Sequence, residues 1–293
     1  MTLKKFYSKF GKQIDTAVKR ALAEDKVNND VTTSLVFGRK EGNRLITAKL
    51  LCKDDCILAG LDIFKRVFKT IYPGVKFKGS FKDGQKVSNK TVVLEVKAPL
   101  GILLEGERTS LNFVQRMSGI ASLTNEFVKK LKYRNAVILH TRKTTPNFRL
   151  FELAAVKTGG GDFHRLDLSS SVMIKDNHIE AAGSIDEILK KINNRKLTGR
   201  QKHRFEIEVK SIEELNRVLE KAGKYIKIVM LDNFRKGDIS KAVHLLKKYK
   251  IKTELSGGIN LQNFKNLQVK GIDYYSIGML THSYSSKDFS LEF

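Results

Sequence analysis

A chain of 293 residues with 41% hydrophobic content can fill one large core or two ordinary ones, and it holds no apolar run of the ~18 residues a membrane span needs. Lys and Arg number 55 against 31 Asp and Glu, a net charge of +24, yet the basic residues are spread over the whole length without the aromatic or Gly-x-x-Gly motifs of nucleic-acid modules. The excess therefore points to a general field for anionic metabolites, not to nucleic acid or a membrane surface.

The opening Met1-Thr2-Leu3-Lys4-Lys5-Phe6 lacks the apolar stretch and cleavage site of a signal peptide, so a cytoplasmic location is expected. Phe6, Phe10, Ile14, Val18 and Leu22 recur every four residues, which predicts an amphipathic first helix. Strand-like pieces follow at 44–52, 75–79 and 91–98, split by turns such as Lys82-Asp83-Gly84-Gln85, with a helix-like piece at 61–71 among them. These predict an α+β domain with an open antiparallel sheet over residues 1–112. Cys52 and Cys56 lack the further Cys or His partners that zinc requires, and are expected as two reduced, partly buried thiols.

Leu111, Val114, Met117, Ile120, Leu123, Phe127 and Leu131 predict a long helix over 108–133, in which Gly119 suggests a close helix crossing. From 136 onward short apolar runs at 136–139, 172–174, 205–209, 226–231, 251–255 and 274–277 alternate with helix-like stretches. Two of those stretches open on capping boxes, Ser184 with Glu187 and Ser211 with Glu214. Alternating strands and helices imply a parallel sheet, either a barrel or an open doubly wound sheet, and ~150 residues is short for an eight-stranded barrel of ~250. The expected fold class is α/β, an N-terminal α+β open-sheet domain followed by an incomplete (β/α) barrel over 113–293, with the C-terminal tail expected to pack back on the first domain. No dinucleotide or P-loop glycine fingerprint is present.

Polar residues gather where these strands end. Arg142 and Lys143 follow the first, Lys175 to His178 the second, and Asp232-Asn233 closes the fourth; Glu208 lies at the end of the third. Ser256-Gly257-Gly258 follows the fifth and the segment from Gly278 to His282 the sixth. The C-terminal ends of barrel strands build an active-site face. Arg142, Lys143, His164, Arg165 and Lys175 offer cationic donors for carboxylates. Glu208 and Asp232 offer carboxylates for ribose hydroxyls or Mg²⁺, and Ser256-Gly257-Gly258 offers backbone amides for a phosphate. His140 and His178 read as structural, and His203 and His244 carry no functional assignment.

At these residues the chain closely resembles the quinolinate phosphoribosyltransferases. The matching segments are Glu107-Arg108-Thr109-Ser110-Leu111-Asn112, Thr141-Arg142-Lys143-Thr144-Thr145-Pro146, Gly159-Gly160-Gly161 with His164-Arg165, Ile174-Lys175-Asp176-Asn177-His178, Glu206-Ile207-Glu208-Val209, Leu231-Asp232-Asn233, Ser256-Gly257-Gly258-Ile259 and Gly278-Met279-Leu280-Thr281-His282-Ser283. Leu22-Ala23-Glu24-Asp25 and Asp30-Val31-Thr32-Thr33 also look like the family's opening. The ordered set spans nearly the whole chain. Molybdenum-transport-associated proteins sharing the barrel would be expected to lose the Thr-Arg-Lys-Thr-Thr-Pro and Lys-Asp-Asn-His patterns, both present here.

The resemblance implies that quinolinate and phosphoribosyl pyrophosphate become nicotinate mononucleotide, pyrophosphate and CO₂ with Mg²⁺, in a homodimer or a higher oligomer. It implies that Arg108 reaches the partner's quinolinate site, with Arg142, Lys143, His164, Arg165 and Lys175 as the rest of that pocket. Lys143, Glu208 and Asp232 are implied as catalytic, with Glu208 and Asp232 near ribose and metal, directly or through substrate or water. Ser256, Gly257, Gly258, Gly278 and His282 are implied on the 5′-phosphate side. Phe163 stands where the family often has Asn, and Asn147 where Gly is common.

Overall fold

The computed structural model describes residues 1–193, 205–222 and 226–293; His203 lies outside them. The chain divides into two compact units, residues 1–126, 144–161 and 280–293 in the first and residues 127–143 and 162–279 in the second. The sequence-based division at 112/113 falls inside one continuous helix, and two later segments, 144–161 and 280–293, group with the first unit.

In the first unit α1 (Leu3–Glu24) buries Phe6, Ile14, Val18 and Leu22, the four-residue stripe expected of it, and leaves Phe10 half-buried. Next comes α2 (Val31–Gly42), which the sequence did not announce because it has no buried residue and hence no apolar period. It starts instead on chemistry: the Asp30 carboxylate accepts from Thr32 N at 2.9 Å and Thr33 N at 3.1 Å.

Strand β1 (Leu45–Cys52), β2 (Cys56–Ile57), α3 (Leu61–Ile71), β3 (Lys76–Lys78), β4 (Lys86–Val87) and β5 (Thr91–Pro99) follow. The Asp83 carboxylate caps α3, accepting from Gly60 N and Leu61 N at 3.0 and 2.9 Å.

Helix α4 (Leu100–Lys129) begins about two turns before the expected start. Gly106 lets Phe68 lie against the helix, since a Cβ there would stand 2.6 Å from the ring. Gly119 answers a different neighbour from the helix expected: a Cβ would meet the Ser285 carbonyl oxygen at 2.3 Å, the backbone of an extended segment.

The C-terminal strand β12 (Phe289–Glu292) pairs antiparallel with β1, giving a four-stranded sheet β12-β1-β5-β3. Ala48, Leu50, Val93, Val96, Phe64, Phe68 and Leu103 form the core beneath it.

The second unit takes its strands in parallel: β6 (Val137–Leu139), β7 (Val172–Ile174), β8 (Phe205–Val209), β9 (Ile228–Asp232), β10 (Lys252–Ser256) and β11 (Tyr274–Ser276). Helix α5 (Arg149–Thr158), in the first unit, lies between β6 and β7 in sequence. Helices α6 (Asp176–Ala182), α7 (Ile185–Asn193), α8 (Ile212–Ala222), α9 (Lys236–Lys248), α10 (Phe264–Leu267) and α11 (Met279–His282) fall between the later strands. Ser184 and Ser211 accept from Glu187 N and Glu214 N at 3.2 Å, as their spacing predicts.

The sheet order β6-β11-β10-β9-β8-β7 puts β6 and β7 at its two ends, β6 making an isolated parallel bridge from Leu139 to Asp162, and this is the incomplete barrel that the length of the region suggested. Among the described residues no helix is long and apolar enough to cross a membrane.

Candidate functional site

Side chains on a strand alternate between faces, so the register of the parallel sheet sorts them. Glu208 pairs with Met230, Met230 with Glu254, Glu254 with Tyr274, and two residues on Asp232 pairs with Ser256. Glu206, Glu208, Asp232, Glu254 and Ser256 therefore share one face, while Ile207, Val209, Val229, Leu231 and Leu255 share the other. A parallel sheet buried on both faces usually reads as continuous apolar sequence. Here one face carries carboxylates, and each must be compensated.

Lys175, half-buried just beyond β7, compensates Glu208 with an Nζ–Oε2 distance of 2.6 Å. His164 compensates the other two, its Nε2 standing 3.3 Å from both Glu206 Oε2 and Glu254 Oε2. Burial alone would lower the His164 pKa, but the hydrogen bonds and charges of Glu206 and Glu254 outweigh it and raise it to about 10.

Glu206 is raised as well, first by burial and then by the Glu254 charge, because a single imidazolium is shared between two carboxylates. The ring is fixed from its backbone too: His164 N donates to His140 Nε2 at 3.1 Å, and His140 Nδ1 lies 3.1 Å from the Thr141 carbonyl. With its Nε2 accepting, His140 carries its proton on Nδ1, which fits the structural part read from sequence.

Beside this cluster Arg142, Arg165 and Lys175 line one cavity of about 560 Å³, together with Ser169, Asn177 and His178. Arg165 is buried, and burial followed by the neighbouring Arg142 charge lowers its pKa. Two guanidiniums held together out of water leave donors in need of an anion. Arg142 Nε is buried without a hydrogen-bond partner among the described residues.

His178 has a structural part, its Nδ1 accepting from Lys175 N at 2.9 Å. Lys143 is exposed and lies outside the residues lining this cavity, its backbone N donating to Thr141 Oγ1 at 3.1 Å. His164 lines a second cavity, of about 530 Å³, with Glu206, Glu254 and Lys252.

Asp232 is half-buried and accepts from Asn233 Nδ2 at 3.0 Å. The Ser256-Gly257-Gly258 turn folds onto the same place, with the Ser256 carbonyl accepting from Asn233 N at 3.1 Å. Gly257 has φ +96°, and a Cβ on it would stand 2.4 Å from Asn233 Oδ1, so both conformation and space require glycine. Glu208 and Asp232 stand on adjacent strands of one face with no third Asp, Glu, His or Cys ligand joining them among the described residues; the triplet that does converge is His164, Glu206 and Glu254. Half-buried Gly278 closes the second unit's share of the predicted residues.

Two predicted residues belong to the first unit. Arg108 is exposed on α4, next to Thr109, whose hydroxyl donates to Asp25 Oδ2 at 3.3 Å. His282 is exposed, its Nδ1 lying 2.6 Å from Ser283 Oγ.

The sequence reading missed a support in this unit. The fully buried Glu152 of α5 binds Arg116 of α4 at 2.5 Å and accepts from Thr145 N at 3.1 Å, while Arg116 also donates to Thr145 Oγ1 and lies over Phe148. This anchors the threonines that follow Lys143 in sequence. Asn147, where the family often has glycine, adopts φ +63°, which asparagine tolerates better than most residues.

Residues 30–118 match the family description Quinolinate phosphoribosyl transferase, N-terminal domain, and residues 120–292 match its C-terminal domain. The chain is 36% identical over 280 residues to a probable nicotinate-nucleotide pyrophosphorylase (carboxylating) of Bacillus subtilis, covering 96% of this chain and 93% of the relative. It is 35% identical over 285 residues to the protein of the same description from Methanocaldococcus jannaschii, covering 94% and 95%. The crystal structure of NadC from Streptococcus pyogenes superposes with a TM-score of 0.87 at 37% identity, over 96% of each chain. By these matches the chain belongs to the quinolinate phosphoribosyl transferase family.

Proposed function

We propose that this enzyme transfers the phosphoribosyl group of phosphoribosyl pyrophosphate to the ring nitrogen of quinolinate, giving nicotinate mononucleotide, pyrophosphate and CO₂ in NAD biosynthesis. The observation that carries the reading is the cavity holding Arg142, Arg165 and Lys175, with Arg142 Nε lacking a hydrogen-bond partner among the described residues, a site that calls for a compact polyanion. Quinolinate has two adjacent carboxylates and a ring small enough for that space. Arg142, Arg165 and Lys175 bind and orient them; Lys143 follows Arg142 in sequence, and the His164 imidazolium is held by Glu206 and Glu254 in the neighbouring cavity.

Displacement of pyrophosphate builds positive charge at the ribose C1, and preorganised carboxylates stabilise it. Glu208 and Asp232 fill this part, holding ribose hydroxyls on the same face of the sheet. Their oxygens are hard donors suited to Mg²⁺, which keeps much of its coordination for water and substrate oxygens. When bound, Mg²⁺ neutralises charge on the leaving pyrophosphate. Backbone amides of Ser256, Gly257 and Gly258 receive the 5′-phosphate, with Gly278 and His282 on the same side. Once the ring nitrogen is alkylated, the pyridinium stabilises the carbanion left by loss of the 2-carboxylate. The working form is a cytoplasmic homodimer in which the exposed Arg108 reaches the partner's quinolinate.

Turnover with quinolinate, phosphoribosyl pyrophosphate and Mg²⁺, against nicotinate as a substrate lacking the 2-carboxylate, tests the reading. Turnover of quinolinate alone, abolished by a chelator and restored by Mg²⁺, is expected. Turnover of nicotinate, or none of either by folded protein, overturns it.

A further inference from the structure

Outside the site just described, the two cysteines of the chain stand together. Cys52 ends β1 and Cys56 opens β2, both buried in the apolar core of the first unit, with their sulfurs 3.5 Å apart. The turn Lys53-Asp54-Asp55 joins them, and Lys53 and Asp55 are exposed. The turn is clipped from several sides. Lys53 N donates to the Asp288 carbonyl and Asp288 N to Asp54 Oδ2, both at 2.9 Å, and Asn89 N donates to Asp55 Oδ1 at 2.9 Å. No other His, Cys, Asp or Glu ligand converges on the two sulfurs among the described residues, so they do not form a metal site.

We propose that Cys52 and Cys56 are a redox dithiol that a hydroperoxide converts to an intramolecular disulfide in the folded protein. A disulfide needs its sulfurs at ~2.05 Å, about 1.5 Å closer than they stand, a shift within reach of side-chain torsions and a small movement of a three-residue turn. The two thiols also differ in the sense the reaction needs. The two sulfurs are hydrogen-bonded to each other, Cys52 Sγ also lying 3.0 Å from the Asp54 carbonyl oxygen, and the mutual bond lowers the Cys52 pKa and raises that of Cys56. Cys52 is thereby the attacking thiolate and Cys56 the resolving thiol. Local opening of the exposed turn admits an oxidant as small as a peroxide.

The Cys52 thiolate attacks one peroxide oxygen and the O–O bond breaks, leaving Cys52 sulfenic acid and a hydroxide that takes up a proton to become water. The Cys56 sulfur then attacks the Cys52 sulfur, the S–O bond breaks, and the departing hydroxide takes the Cys56 proton as a second water. Two thiols lose two electrons and hydrogen peroxide gains them.

Folded protein is treated with hydrogen peroxide, quenched, unfolded, alkylated with N-ethylmaleimide and weighed by mass spectrometry. The expected result is a fall from two alkylated thiols to none. The chain is lighter by two hydrogens, dithiothreitol reverses the change, and the peptide spanning the turn is cross-linked. In the Cys56→Ser protein, dimedone should label Cys52, a label absent from the wild type. Two alkylated thiols in treated wild type, under conditions that link the unfolded chain, would overturn the proposal. So would sulfinic acid at Cys52 or a disulfide between chains. None of these readouts uses turnover, so the outcome is independent of the substrate assignment.

Discussion

The two larger sheets of this molecule bury their first faces alike and differ in the second. In β12-β1-β5-β3 the residues Ala48, Leu50, Val96 and Ala98 face an apolar core, while Lys49 and Lys97 on the opposite side are exposed. In β6-β11-β10-β9-β8-β7 the aliphatic face is likewise buried, but the second face holds Glu206, Glu208 and Glu254, all buried as well. A wet second face can carry any polar side chain at little cost. A dry one must pair each charge, so whatever stays unpaired marks where a ligand belongs. By that criterion the buried Arg142 Nε, without a hydrogen-bond partner among the described residues, marks a place for a ligand, whereas the exposed face of the antiparallel sheet marks none.

Four substitutions break or sharpen this contrast. Phe64→Ala hollows the apolar core of the first unit and should destabilise the chain by about 4 kcal/mol in chemical denaturation. Arg142→Ala should reverse the pattern, removing a charge-assisted contact of roughly 2.7 kcal/mol, about 100-fold in kcat/KM for quinolinate. Its melting temperature should stay within about 2 °C of wild type.

Glu254→Gln takes one of two carboxylates from the imidazolium, at a stability cost of about 1–2 kcal/mol near neutral pH. The sign with pH is definite. His164 titrates at about 10 in the fold against 6.5 when free, so its contribution is whole below pH 6.5 and is lost as pH rises toward 10. The gap between wild type and Glu254→Gln in denaturant midpoint should be widest below pH 6.5 and close toward pH 10; a gap that widens upward would refute the protonated clamp.

Smallest of all, Lys97→Glu should stabilise the first unit by about 0.5 kcal/mol, since Lys97 stands directly opposite Lys76 on β3. A large effect there would mean the exposed face is not as permissive as argued.

Legibility in the sequence followed burial on one side only. Helix α3 appeared at its observed bounds and β7 and β8 at theirs because short apolar runs between turns admit few alternatives. Helix α2 escaped notice because Val31, Leu35 and Val36 are exposed and leave no period to read. Arg142 and Lys175 were legible as cations placed straight after strands. Glu206 and Glu254 were not, because they sit within strands rather than at their ends. The one available hint was the alternation Glu206-Ile207-Glu208-Val209 inside a strand expected to be apolar throughout. Arg116 and Glu152 were invisible for a simpler reason: they meet across 36 residues of sequence.

What the sequence determined by itself was the alternation of strands and helices, the ends at which polar residues collect, and the family. Those follow from local periodicity and from motifs of adjacent residues, which need no knowledge of what lies across the sheet. The tertiary structure alone decided that His164 is held by two carboxylates from different strands, that Arg165 lies beside Arg142, that the last strand joins the first sheet, and that Cys52 and Cys56 stand within contact. Each is a pairing set by strand register or by packing, and a register shift of one residue would turn Glu206 or Glu254 to the other face.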